Sequence, residues 1–221
     1  GGLPVGTGEN AISLISSGID SPVSSFEMIK RGVSLSYVHF HSAPATSRQS
    51  IKNVKRLLEI IAGYQIKCML YNIPLLAIQE KIMETAPSKF WVILFRRAMM
   101  KMAEKIAENI NAVALITGEN VGQVASQTLS NMRATADAVE LPIIRPLAGM
   151  NKEDIINRAR EIGTYDVSIE PYEDCCSFFV PIHPETRAKL DEVRAIESSI
   201  NMNKLYQTAM ENLEQIIIEG K

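Results

Sequence analysis

The sequence has only three cysteines, no long apolar run and almost no excess of charge. An odd and sparse set of cysteines excludes a disulfide framework and leaves thiol chemistry open. No stretch approaches the roughly 18 to 20 apolar residues that a membrane span needs, and Gly1 to Asn10 has neither the basic end nor the apolar centre of a signal peptide. The expected compartment is the cytoplasm, with no membrane partner. Lys and Arg number 23 against 25 Asp and Glu, a net charge of -2, so a nucleic-acid partner has to be met by a local basic patch. Internal repeats and low-complexity tracts are also missing. What the 221 residues do have is 46% hydrophobic side chains, enough to bury one substantial core. The chain opens with Gly1-Gly2 rather than methionine, as a piece of something longer would.

Strand-like and helix-like patterns alternate. Ala11 to Ser16, Val33 to Phe40, Gln65 to Asn72 and Ala112 to Thr117 are short, apolar and partly β-branched, as buried parallel strands are, and Leu141 to Leu147 supplies a fifth. Helical patterns cover Pro22 to Lys30, Ser47 to Ala62, Pro74 to Glu84, Lys89 to Asn109, Val121 to Asn131 and Lys152 to Ile162. This order predicts an α/β fold, an open parallel five-stranded sheet with helices on both faces. After Gly163 comes an acidic, cysteine-bearing, proline-marked loop, Tyr165 to Pro184, and then one predicted long helix from Glu185 to Glu219. The expected organisation is a linker over residues 1–10, the α/β domain over 11–184 and a C-terminal helical appendage over 185–221. The length of the last helix suggests an isologous homodimer through it.

Chemistry concentrates where the first strand becomes a helix, in "LISSGIDSP", Leu14 to Pro22. A strand-to-helix turn at the carboxyl end of a parallel sheet aims backbone N–H groups and the positive end of the helix dipole into the crevice, which favours a phosphate. Gly18 permits close approach, Ser16, Ser17 and Ser21 carry hydroxyls, and Pro22 suits a first helical turn. Asp20 is the odd member, since a carboxylate repels phosphates unless a cation such as Mg²⁺ lies between. Plain helix capping accounts for Ser and Asp at this place equally well and needs no ligand.

The stretch resembles the Ser-Gly-Gly-x-Asp-Ser loop of the PP-loop ATP pyrophosphatases, which cleave ATP between the α and β phosphates and pass AMP to a carbonyl oxygen. Ser17 stands where that family has its first glycine, and a backbone that needed positive φ there would weaken ATP binding. "GGLPVGT" from Gly1, "VHFHSAPATS" from Val38, "TGENVGQVASQTLSNM" from Thr117, "IIRPLAGMNKEDII" from Ile143 and "IGTYDVSIEPYEDCC" from Ile162 resemble one branch, the tRNA 4-thiouridine synthetase (thiamine-biosynthesis sulfurtransferase) family. The resemblance implies an adenine-nucleotide hydrolase-like domain that uses ATP and Mg²⁺. It implies that Leu14 and Ile15 lie beneath the nucleotide, that His39 and Phe40 hold adenine, and that Arg96, Gly118 and Gln127 contact the nucleotide, with Lys152 serving the transferred adenylate. Without the family, His39 is ordinary strand-end polarity, Gln127 an exposed helix residue and Lys152 a surface lysine; Arg97, next to Arg96, reads as solvated.

In this family a loop cysteine handles persulfide sulfur, which here means Cys175 or Cys176. "Tyr-Glu-Asp-Cys" favours Cys175, and counting back from Pro184 favours Cys176. The neighbouring Glu170, Glu173 and Asp174 would raise a thiol pKa unless a cation answers them. A zinc site from Cys175, Cys176 and His183 is a weaker reading, and Cys68 reads as a small buried apolar residue. The implied activity is adenylation of a tRNA uridine, with sulfur from a persulfide donor such as a cysteine desulfurase or rhodanese. The family's N-terminal RNA-binding region and C-terminal rhodanese domain lie outside these 221 residues, so tRNA binding by this chain is expected to be weak. Lys81, Lys89, Arg96, Arg97, Lys101 and Lys105 form a basic stretch that meets phosphates or, with Glu104 and Glu108, a solvated helix face. Two other functions stay open: a PP-loop ligase or amidating synthetase with another acceptor, and a non-catalytic ATP-binding module, which Ser17 keeps in play.

Overall fold

The computed structural model describes residues 2–173, 175 and 179–220. Six strands, β1 (Asn10–Leu14), β2 (Ser34–His41), β3 (Lys67–Pro74), β4 (Leu115–Ile116), β5 (Ile143–Ile144) and β6 (Glu214–Glu219), form one sheet in the order β5-β4-β1-β2-β3-β6. The first five are parallel. Helices α1 (Asp20–Ile29), α2 (Gln49–Gln65), α3 (Leu76–Thr85), α4 (Trp91–Asn109), α5 (Leu129–Ala136), α6 (Lys152–Glu161), α7 (Tyr165–Ser168), α8 (Leu190–Ser198) and α9 (Asn203–Glu211) surround it. Among the described residues no helix is long and apolar enough to cross a membrane.

The strands are apolar on both sides because both faces are covered. Ala11, Leu35, Tyr37 and Leu70 pack against Val54, Leu58 and Ile61 of α2, whereas Ile12, Val38, Phe40 and Ile73 join Ile78 of α3 and Phe95 of α4 in a second core. Each fully buried leucine or isoleucine contributes roughly 1.5–3 kcal/mol, and α2 alone supplies Leu57, Leu58 and Ile61 without exposed surface.

The expected long C-terminal helix is instead two short helices and a strand. Ser198 and Ser199 close α8, and Ile200 and Met202 turn into the core that holds α3 and α4. Beyond α9, three successive isoleucines favour extended backbone. They satisfy the open edge of β3 in antiparallel register, Leu70 opposite Ile216. The sheet therefore gains a sixth strand, and the helix through which a dimer was expected does not exist.

Arg97, expected on a solvated face, is 3% exposed. Its guanidinium donates to the Ala134 carbonyl, to Asp137 at 3.2 Å and to Glu197 of α8 at 2.7 Å. Lys101 also reaches Glu197, at 2.8 Å, and Arg194 pairs with Asp137. Burial opposes the charge on Glu197, but the bonds from Arg97 and Lys101 more than offset it and hold its carboxyl below the ordinary glutamate value. Lys81, Lys89 and Lys105 pair with Glu84, Glu185 and Glu108, so the basic stretch is largely matched by acids rather than presented to a polyanion. Replacing Arg97 by methionine removes the buried partner of both Asp137 and Glu197, leaving them only Arg194 and Lys101, and should lower stability by about 3 kcal/mol, read as the shift in a urea unfolding midpoint at constant slope.

Candidate active site

From β1 the chain steps to β2 and β3 on one side, then returns to place β4 on the other side of β1. The turns after β1 and β4 thus diverge from a topological switch point, where open parallel sheets form a crevice at the strands' carboxyl ends. Gly118, after β4, touches the β1 turn so closely that a Cβ there would lie 2.8 Å from the Ser21 nitrogen and 2.9 Å from the Asp20 carbonyl carbon.

The capping alternative for the first turn can be tested directly. Ile19 is the N-cap of α1 and no side chain caps it. The serine hydroxyls brace the turn itself: Ser16 donates its backbone N–H to Ser21 Oγ at 2.9 Å, and Gly18 N–H reaches Ser16 Oγ at 3.3 Å. The first backbone N–H groups of α1 are therefore left without side-chain acceptors at the mouth of the crevice, the arrangement that suits an anion. Positive φ among the described residues is confined to Ile66, Asn111 and four glycines, Gly6, Gly32, Gly122 and Gly163. Ser17 accordingly stands in backbone that any residue adopts, and the strain argument against it falls. Its side chain is buried away from the crevice, with no hydrogen-bond partner for its Oγ.

The crevice is a cleft of about 220 Å³. Leu14, Ile15, Ser16, Asp20 and Ser21 form one wall; His39 and Phe40, from the end of β2, form another, and Arg96, Gly118, Gln127 and Cys175 complete it. His39 is tied into that wall, with Nδ1 3.0 Å from the Ile15 carbonyl oxygen and Nε2 3.4 Å from Ser50 Oγ. Ser17, Gly18 and Lys152 are not part of the lining. Lys152 nevertheless closes the rim: its Nζ lies 2.5 Å from Asp20 Oδ1, while Gln123 donates to Oδ2 at 3.0 Å.

Sequence reasoning missed Val38, Met99, Met100, Thr117 and Glu119, which also line the cleft. Glu119 matters most. It is 1% exposed and lies between two guanidiniums, Arg96 at 2.8 Å and Arg145 at 2.6 Å, with the Thr117 hydroxyl donating at 3.1 Å. Burial opposes its charge, and Arg96, Arg145 and Thr117 more than offset that, so its carboxyl is held below the usual glutamate value. A lone arginine in the apolar run "IIRPL" is the signal that could have predicted such a buried partner. Gln127 also departs from expectation. The predicted helix Val121 to Asn131 is replaced by a turn through Gly122, a single 3-10 turn at Ala125–Gln127, and α5, which Thr128 caps by accepting from Asn131 N–H at 3.2 Å. Gln127 is thereby drawn inward, 9% exposed, with Oε1 unpartnered.

Cys176 and Asp174 lie outside the described residues. Cys175 is 8% exposed and packs with the α3 and α4 core as it meets the cleft. The acids expected to burden the thiol are engaged elsewhere: Glu170 pairs with Arg56 at 2.5 Å and Glu173 accepts the Ser47 N–H at 2.8 Å, both toward α2. No group of three or more His, Cys, Asp or Glu among the described residues is placed to hold a metal ion. Cys68 is fully buried and burial pushes its thiol up to about 12.

The sheet order and the β1 turn define a domain of the PP-loop ATP pyrophosphatase type. The chain belongs to the family described as thiamine biosynthesis protein (ThiI), which matches residues 6–202. A probable tRNA sulfurtransferase of Caldanaerobacter subterraneus subsp. tengcongensis is 46% identical over 219 residues, 99% of this chain and 57% of its own length. One from Thermoanaerobacter sp. (strain X514) is 47% identical, again over 99% of this chain and 57% of its own. This chain thus spans a little over half the length of those relatives. Among solved structures, a 4-thiouridine synthetase in complex with RNA and with bound ATP superposes with a TM-score of 0.95 at 41% identity, over 99% of this chain and 57% of that one. An NMN synthetase from Francisella tularensis shares the fold, with a TM-score of 0.59 at 13% identity over 93% of this chain and 82% of its own.

Gly118→Ala should force the two turns apart, lowering stability by about 1–3 kcal/mol, measurable by calorimetry. The folded-state value of Glu119 lies below its unfolded-state value of about 4.3, so its contribution is complete above that pH and is lost as pH falls through the folded value. Glu119→Gln should abolish that acid-dependent loss and reduce stability at neutral pH by about 3 kcal/mol, checked by melting temperature against pH.

Proposed function

We propose that this chain is the ATP-using catalytic domain of a tRNA sulfurtransferase, which adenylates a tRNA uridine with release of pyrophosphate so that persulfide sulfur yields 4-thiouridine. One observation carries the reading: the β1 turn, Arg96 and a cysteine share a single cleft, so a nucleotide on the turn and a thiol would face the same reacting carbon. Family membership and the likeness to a 4-thiouridine synthetase with bound ATP support it. The donor set fits ATP. The N–H groups at the start of α1 and the Ser16 and Ser21 hydroxyls suit phosphate oxygens, Arg96 suits charge developing at the α-phosphate, and the unpartnered Gln127 Oε1 can accept from a ligand N–H or O–H.

Asp20, with phosphate oxygens, would hold Mg²⁺, whose chemistry is to neutralise the departing pyrophosphate. Lys152, paired with Asp20 at the exposed rim, is placed to move to the transferred adenylate when phosphates arrive. Positioning and charge stabilisation do most of the work in such transfers. The outer sulfur of a carrier persulfide then replaces AMP at C4 of the uridine. Cys175 or Cys176, as thiolate, attacks the carrier sulfur, freeing the thionucleoside and leaving a disulfide for a thiol reductant to reset. The same persulfide chemistry would serve sulfur transfer toward the thiamine thiazole. A cysteine desulfurase or rhodanese is the matching donor class, and a cytoplasmic setting follows from a tRNA substrate.

The test is pyrophosphate release from Mg-ATP by this chain, with and without unmodified tRNA, beside Asp20→Ala. Release should be stimulated by tRNA and fall on the order of 100-fold in the variant. Release that needs ammonia or glutamine and ignores tRNA would instead mark an amidating synthetase. Nucleotide binding with no release under any condition would mark a non-catalytic module and overturn the proposal.

A further inference from the structure

A buried polar chain lies behind Cys175 that neither the nucleotide turn nor the ion pairs involve. Gln79, on α3, has no exposed surface and sits in a helix whose neighbouring Ile78 and Ile82 are core residues. Its Nε2 donates to the Cys175 carbonyl oxygen at 2.7 Å, and its Oε1 accepts from the Ser42 hydroxyl. Ser42 follows β2 directly and is equally buried. Both ends of the Gln79 amide are therefore satisfied by groups that water cannot reach, and packing alone would have been better served by leucine or methionine. The Cys175 carbonyl belongs to the peptide bond that leads to the next cysteine in the chain, so this hydrogen bond holds the backbone at Cys175.

We propose that Gln79, oriented by Ser42, is the positioning residue of the sulfur-transfer half of the reaction. It touches neither nucleotide nor reacting sulfur. Its amide locks the backbone at Cys175 to the end of β2, the strand that also contributes His39 and Phe40 to the cleft, so that thiol and nucleotide are held in one frame. The glutamine amide supplies a donor for the carbonyl and an acceptor for the hydroxyl in one rigid plane; an ionised glutamate would set an acceptor against the Cys175 carbonyl. Misplacement of a reacting group by about 1 Å is enough to cost on the order of 100-fold in rate. The proposal rests on the sulfurtransferase reading above.

The experiment compares this chain with its Gln79→Met and Ser42→Ala variants by site-resolved alkylation with iodoacetamide, read by mass spectrometry at Cys175 and at Cys68. Cys68, buried in the opposite core, reports general loosening. Pyrophosphate release and sulfur transferred to tRNA from a persulfide donor are measured on the same preparations. Gln79→Met should change the Cys175 rate about ten-fold while Cys68 and pyrophosphate release stay within about two-fold, and sulfur transferred per pyrophosphate should fall about ten-fold or more. Ser42→Ala should shift the same ratio in the same direction by less. A Cys175 rate like that of the unmodified chain, or one that rises only in step with Cys68, overturns the proposal. Should Gln79→Met not fold, Ser42→Ala carries the test, and an unchanged ratio there overturns it equally. The alkylation ratio needs no turnover, so a failure of pyrophosphate release in the unmodified chain counts against the sulfurtransferase reading alone.

Discussion

A side chain at position 118 would bring its Cβ to 2.8 Å from the Ser21 nitrogen, so the turns that follow β1 and β4 can meet only through glycine. The rest of the cleft depends on that approach. It brings Glu119, one residue further on, beneath Arg96 of α4, and it leaves the start of α1 open toward the same space. Backbone contact is a stiffer constraint than side-chain packing, because a peptide nitrogen cannot rotate out of the way as a rotamer can. The switch point thereby fixes the distance between an anion-seeking turn and a guanidinium, the quantity on which electrostatic catalysis depends.

The cleft's charges come in two kinds of pair with different consequences. The Glu119 carboxylate is 1% exposed between Arg96 and Arg145, and removing it would leave two largely buried guanidiniums facing each other unanswered. That cluster is a fixed part of the wall, carrying one net positive charge into a polyanion site. Asp20 and Lys152 meet at the rim with 21% and 42% of their side chains exposed, where an ion pair contributes at most about 1 kcal/mol. A ligand bearing several charges can separate the rim pair easily and cannot separate the buried one. The permanent cation is thus Arg96, and the exchangeable one is Lys152.

What the sequence disclosed follows from how local each signal is. The parallel strands β1, β2 and β3 were legible because sheets buried on both faces write continuous apolar runs, and the β1 turn was legible because it is one short stretch. Arg96 and Arg97 were not separable in the same way. Successive helical residues point about 100° apart, and only the positions of Glu119 on one side and Glu197 on the other decide that Arg96 meets the cleft while Arg97 anchors the C-terminal segment. The tail misled for a related reason. "EQIIIE" continues a helical pattern plausibly until the free edge of β3 is known, and a tertiary hydrogen-bonding opportunity then overrides the local one. Read without the family resemblance, Gln127 falls on an exposed helix, because the left-handed turn at Gly122 and the cap at Thr128 act against the periodicity of the surrounding residues.

In the proposed function, the two chemistries of the cleft draw their support from different parts of the fold. The nucleotide side is framed by β1, α1, β4 and α4 through backbone contact and the buried Glu119 cluster. The thiol side is framed by α2 and α3: Ser47 and Arg56 hold Glu173 and Glu170, and Gln79 holds the Cys175 carbonyl. β2 borders both, with His39 and Phe40 facing the nucleotide side and Ser42, the residue after it, beginning the chain of hydrogen bonds toward the cysteine. Because parallel strands are held in register by evenly spaced backbone bonds, β2 ties the two supports into a common frame, alongside the packing of α3 on α4 and of α1 on α2. A substitution on one side should therefore weigh most on its own step of the proposed transfer.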